Sequence, residues 1–219
     1  MTPALSPSAV EALTFLRQGK RDKARALLLA AQGRDPDDPS LNALLGMLAC
    51  EEKDFSNGIT YLRRAWRGWP DDFATRKNLA LALLQSGDPS EVIAVTRRAD
   101  RDPALLRARA FSYQQLGQWE EAVSAYRILV DAAPEDFEIW NNLANVLAEQ
   151  GKSEDAMDAF EQAIHLQPSL PILYINYGKI LTGIERDADR LTVLRRGAAV
   201  CSHDDEIALE LGLAAAAVG

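Results

Sequence analysis

Three groups of residues in this chain have side chains able to do chemistry: a short mixed cluster, a scatter of amides and two close tryptophans. The cluster is Cys201-Ser202-His203-Asp204-Asp205. Its residue types suit a metal ion or a nucleophile. A zinc site takes about four ligands, however, and no second Cys/His pair stands elsewhere in the chain. His165, the other histidine, falls in the last turn of a predicted helix, where the helix dipole favours a cation. Cys50 reads as a small buried hydrophobe rather than a nucleophile. There is no glycine-rich phosphate loop, paired-carboxylate pocket or nucleophile elbow. We therefore expect no enzyme, no cofactor and no metal in these residues. Trp66 and Trp69, in Trp-Arg-Gly-Trp-Pro, serve either packing between structural units or an exposed aromatic contact.

Composition narrows the partner class. The 219 residues are 47% hydrophobic and 26% charged, with a net charge of -8. That is enough apolar material for a buried core. An acidic chain is a poor binder of nucleic acid, whose phosphates need a basic face. No apolar run approaches the ~18 residues needed to span a bilayer, and residues 1–20 do not read as a secretory signal. Two cysteines cannot build a disulfide framework, so a cytoplasmic setting is expected. Of the 24 basic residues 18 are Arg, as a GC-rich bacterial genome would give. Residues 1–102 hold 15 basic and 14 acidic side chains, whereas residues 103–219 hold 9 and 18. The acidic second part is either a solvated surface or a preference for basic partners.

The elements that position these groups follow from a repeat. Ala12, Gly46, Ala80, Ala110, Ala144, Gly178 and Gly212 are 34 residues apart, except for one step of 30. Ala24, Gly58, Val92, Ala122, Ala156 and Arg190 keep the same rhythm twelve residues later. Between the two series lie Gly19, Lys53, Gly87, Gly117, Gly151, Glu185 and Gly219, and units close near Pro36, Pro70, Pro134 and Pro168. Each unit predicts two amphipathic helices around a short turn, and proline ends the unit because it cannot continue a helix. Small residues let the helix axes approach to about 8–10 Å. One pair cannot bury both apolar faces, so neighbours must stack into a continuous core.

Trp140-Asn141-Asn142-Leu143-Ala144, followed by Gly151, Ala156, Phe160, Ala163 and Pro168, resembles the tetratricopeptide repeat family. The resemblance covers nearly the whole chain as units 5–38, 39–72, 73–102, 103–136, 137–170 and 171–204, with a half unit 205–219. It implies an all-α, right-handed α-solenoid of antiparallel helix pairs in a single array, serving as a non-catalytic scaffold for protein or peptide partners. It also implies that the first helix of each pair lines a concave groove. The matching positions are Lys77, Leu81 and Gln85; Arg107, Phe111, Gln114 and Gln115; Glu138, Asn141, Asn145 and Glu149; and Ile175 and Lys179. Asn78, Asn142 and Asn176 share one repeat position, with Ala108 interrupting the row. That row looks like the asparagine ladder that holds substrate backbone in peptide O-GlcNAc transferases. The two-carboxylate clamp of chaperone-cofactor arrays is matched by Lys77 alone, so a chaperone's acidic tail is not the expected partner.

Several departures carry expectations of their own. Ser8 and Glu11 stand where core residues belong, which suits an end cap. The second helix of the third unit, near Pro89 to Ala99, should lack about one turn. Arg190 replaces a small residue and Glu185 a turn glycine, so packing in the sixth unit is hard to read. The helix from Ile207 to Val218 is apolar on more than one face. We expect the natural chain to continue past Gly219; the other reading is that the bare end docks onto another subunit. A longer parent leads to the alternative function: a leading recruitment domain of a bacterial sulfotransferase or glycosyltransferase, with catalysis beyond residue 219.

Overall fold

Backbone punctuation sets the helices. Among the described residues seven aspartates sit just before a helix, and their carboxylates accept hydrogen bonds from the backbone N–H groups of its first turn. They are Asp38, Asp54, Asp72, Asp88, Asp102, Asp136 and Asp204, with distances from 2.7 Å at Ser40 N to 3.4 Å at Ile139 N. Each such cap contributes about 1 kcal/mol. Seven of the 32 acidic side chains are therefore spent locally. Pro7, Pro39, Pro89, Pro103 and Pro171 open helices, where the missing N–H costs nothing.

The computed structural model describes residues 4–97 and 102–219. Among them are thirteen helices and no strand: α1 (Pro7–Arg17), α2 (Arg21–Gln32), α3 (Pro39–Glu51), α4 (Phe55–Gly68), α5 (Phe73–Ser86), α6 (Pro89–Thr96), α7 (Pro103–Gln115), α8 (Trp119–Ala132), α9 (Phe137–Glu149), α10 (Ser153–Leu166), α11 (Pro171–Gly183), α12 (Asp187–Val200) and α13 (Asp205–Val218). The fold is an all-α solenoid of helix pairs. Two compact units divide it, one up to Ser112 and one from Tyr113.

Within a pair the turn is always the same. Gly19, Lys53, Gly87, Gly117, Gly151 and Glu185 all have positive φ, between 59° and 77°. The next N–H reaches back to a carbonyl five residues earlier, as in Lys20 to Phe15, Asp54 to Ala49, Lys152 to Leu147 and Arg186 to Leu181, each at 2.9 Å. This is the hydrogen bond that closes a helix through a left-handed residue. Lys53 and Glu185 adopt it without being glycine.

In the first unit one core joins α1 to α3 through Ala12, Ala24, Leu28 and Leu41. A second gathers Leu62, Leu79, Leu83, Val92 and Leu105, with Trp66 packed against it. Trp66 donates its indole N–H to the Pro70 carbonyl at 3.2 Å, which favours the packing role for this residue. Gly46 and Gly58 bring α3 and α4 together: a Cβ on Gly46 would lie 2.6 Å from Leu62 Cγ. Ser8 is half-buried and Glu11 exposed, while Ala9 and Ala12 carry the buried face of α1. At 8 residues, α6 is shorter than the 14-residue α4. Ala99 lies outside the described residues.

The second unit buries Tyr126, Leu129, Ile139, Phe160, Tyr174 and Leu194. Phe160 and Tyr177 stack with centroids 5.3 Å apart. Trp140 and Tyr174, one repeat apart, are tethered alike: each donates to the carbonyl of the proline six residues earlier, Pro134 or Pro168, at 2.8 Å. Arg190 is buried after all, and its guanidinium reaches Glu210 on α13 at 2.9 Å. That pair resolves the oddity of a long cation at a small-residue position. Of α13, Ile207 and Ala214 are buried, whereas Leu209 and Leu213 are 64% and 53% exposed.

Candidate functional site

The residues expected to line a groove lie on α5, α7, α9 and α11, and the structure sorts them. In the second unit it brings amides together. Asn176 donates to Asn141 Oδ1 at 3.2 Å, and Asn141 donates to Asn142 Oδ1 at 3.4 Å. All three are half-buried, as is Asn145 one turn along, while Lys179 is exposed on the same helix as Asn176. The contact between helices is thus Asn176 with Asn141, not with Asn142 of the same repeat position.

In the first unit Asn78, Leu81 and Gln85 of α5 face α3 across a cleft of about 320 Å³. Its other walls are Met47, Cys50, Glu51, Phe55 and Ala82, none of them among the residues expected to line the groove. Their separation in the chain hides the neighbourhood, and the repeat register would have revealed it. Glu51 is paired to Arg21, and Lys77 sits 5.9 Å from the Phe73 ring centroid on its own helix. On α7 Arg107 is half-buried and Phe111 exposed.

Two expected groove residues are otherwise engaged. Ile175 is 1% exposed, because α11 is flanked by α9, α12 and α13 and buries Leu173, Tyr174 and Ile175 in succession. Gln114 accepts a hydrogen bond from the Tyr126 hydroxyl at 3.0 Å, so its carbonyl is committed to α8.

Of the reactive groups, one has a structural duty. Asp204 caps α13 through the Ile207 N–H at 2.9 Å. Burial pushes the Cys50 thiol up, and Asp54 adds to the effect by repelling a thiolate. Cys201 is raised in the same way, by burial and then by Asp204. Both therefore stay as thiols near neutral pH. Among the described residues no three His, Cys, Asp or Glu side chains converge as metal ligands, and no helix is long and apolar enough to cross a membrane.

A stacked helix-pair array with half-buried amides on one set of helices defines a repeat scaffold, and sequence comparison names its kind. The tetratricopeptide repeat family matches residues 10–72 and 107–171, more than half of the chain, and the protein belongs to that family. Cellulose synthase operon protein C from Pseudomonas fluorescens (strain SBW25) is 26% identical over 167 residues. That match takes in 71% of this chain, which spans 13% of the relative's length. Among solved structures, MamA superposes with a TM-score of 0.69 at 14% identity, covering 74% of this chain and 91% of its own. YrrB, described as a TPR protein with an unusual peptide-binding site, gives 0.68 at 15% identity, covering 83% and 95%. At these identities the structural likeness is one of fold. These relatives do not favour a sulfotransferase or glycosyltransferase parent.

Proposed function

We propose that this chain is a non-catalytic scaffold that holds an extended segment of a partner protein along α9 and α11. The observation that carries this reading is the amide group of Asn141, Asn142 and Asn176. Asparagine lowers helix propensity and adds nothing to an apolar core. An amide offers both a donor and an acceptor, as the backbone of an extended peptide requires. With Asn145 and Lys179 on the same helices, such a peptide would gain amide contacts to its backbone and a cation for its acidic groups. Asn78, Lys77, Arg107 and Phe111 would give the first unit a face of the same kind, and Gln114 of the second offers its amide N–H groups.

The family and the peptide-binding description of YrrB support protein partners in general. The acidic second part argues against nucleic acid. Two free thiols suit a reducing, cytoplasmic compartment.

The test is selection from a displayed library of random unstructured peptides, followed by calorimetry of the best binders. Asn141→Ala with Asn145→Ala and Asn176→Ala should weaken those binders about tenfold or more, since lost hydrogen bonds cost about 0.5–1.5 kcal/mol each. Unchanged affinity in the triple variant, with its helicity intact, would refute the reading.

A further inference from the structure

The second unit holds a cleft that the groove does not use. It opens between α8 and α10 over α9 and encloses about 660 Å³. Trp140, Leu143 and Leu147 of α9 line it together with Val130 and Ala159. Around these apolar groups stand Asp131, Asp155, Asp158 and Glu161, with Arg127 and Gln162. Arg127 is tied to Asp155 at 3.7 Å, and Glu161 to Arg196 at 2.8 Å. Asp131 and Asp158 make no ion pair among the described residues and are exposed.

One repeat further on, the equivalent place is already filled. Tyr174 stands where Trp140 does, and the Arg196 guanidinium lies over its ring at 5.7 Å from the centroid. The same guanidinium donates to Glu161 at 2.8 Å. Cation, ring and carboxylate thus form a closed set inside the chain. Moving back by 34 residues, Gln162 replaces Arg196, while the ring becomes the tryptophan, the better partner for a cation. Asp131 and Asp158 replace His165 and Thr192. The α8–α10 cleft therefore keeps the ring, tethered through its N–H to Pro134, and adds Asp131 and Asp158; its own cation, Arg127, stands in the place of Glu161 and is tied to Asp155 rather than laid over the ring.

We propose that this cleft is a second docking site, which takes an arginine or lysine side chain, flanked by an apolar one, from a basic segment of a partner protein. The cation would lie over Trp140 as Arg196 lies over Tyr174, with Asp131 and Asp158 as counter-charges. The apolar neighbour would rest against Val130 and Ala159. The volume is within the range that admits a few side chains. This site is independent of the amide groove and stands or falls without it.

The probe is the peptide acetyl-Leu-Arg-Leu-Arg-Leu-amide, compared with the same peptide carrying citrulline for arginine, which keeps the shape and loses the charge. The arginine peptide should shift the Trp140 indole N–H in NMR spectra and bind about tenfold more tightly than its citrulline twin. Gln162→Arg rebuilds the internal cation and should abolish the shift while the melting temperature holds. Asp131→Asn with Asp158→Asn should weaken binding about fivefold, and tests the site even where the arginine variant folds poorly. Equal binding of the two peptides, or Gln162→Arg binding like the parent, overturns the proposal. Loss through Asn141→Ala and Asn145→Ala, with the cleft variants unaffected, would move the peptide to the groove and overturn it too. Self-association that Gln162→Arg abolishes would make the occupant a second copy of this chain, against the proposal.

Discussion

Replacing Glu185 by glycine should make the second unit more stable, because the backbone there is held where a Cβ is unwelcome. Its φ of 59° matches the 74° of Gly151, one repeat earlier, and both turns close with the same 2.9 Å hydrogen bond. A side chain in this left-handed region costs about 1–2 kcal/mol. Glycine returns about 0.5–1 kcal/mol of that through its greater freedom in the unfolded chain. The net gain is about 0.5–1 kcal/mol. Glu185 is exposed, and among the described residues its side chain makes no hydrogen bond or ion pair to lose. Gly151→Ala is the mirror experiment. A Cβ there would have nothing within 4 Å, so its cost is purely conformational and should be of similar size with opposite sign. Urea unfolding followed by circular dichroism would read both, as midpoint shifts at constant slope. In a chain of this length each kcal/mol moves the melting temperature by roughly 2–4 °C. If Gly151→Ala loses stability while Glu185→Gly gains none, the left-handed turn is not a source of strain at residue 185 and the reasoning fails.

Gly46→Ala should destabilise the first unit by about 1–3 kcal/mol, since its Cβ would press on Leu62 Cγ at 2.6 Å and on the Gly58 carbonyl at 3.1 Å; thermal unfolding reads the loss. Arg190→Ala leaves Glu210 half-buried without its partner and should loosen α13, seen as faster amide hydrogen exchange there than in α9. Burial raises the Asp38 carboxyl, but bonds from the Ser40 hydroxyl, the Leu41 and Ser40 N–H groups and Ser6 outweigh it, so the group stays below the usual carboxylate range. Its contribution is therefore complete above the unfolded value of about 3.9 and is lost as pH falls through the lower folded value. Asp38→Asn should flatten this acid limb of stability in a pH series of melting curves.

The helix pairs, turns and packing faces were legible because they depend on neighbours within one 34-residue unit. Gly46 against Leu62, and the positive φ at Lys53 and Glu185, follow from register. What the sequence hid depended on a third helix. Ile175 has the spacing of a groove residue, yet α13 and α9 flank its helix and it is buried. Asn142 and Asn176 share a repeat position, but the side chain that meets Asn176 is Asn141, because adjacent helices are staggered. Gln114 gave no sign that a tyrosine hydroxyl one helix away would claim its carbonyl. Arg190 at a small-residue position is hard to read until Glu210 comes beside it from another helix. The cleft over Trp140 was legible only by comparing one repeat with the next, residue 162 against residue 196.

The local closure of each helix also bears on how such a gene can change length. Lys152 and Arg186 both stand just before a helix that follows a left-handed turn residue. Excising residues 153–186 in frame would join Lys152 to Asp187 and regenerate a turn of the same form, Gly151-Lys152-Asp187. The splice would also set Trp140 in the register that Tyr174 now holds beneath Arg196. Recombination within such a gene can thus delete a unit and, in the same event, carry an arginine to an aromatic cleft, while Glu161, the partner that now holds it, leaves with the excised residues.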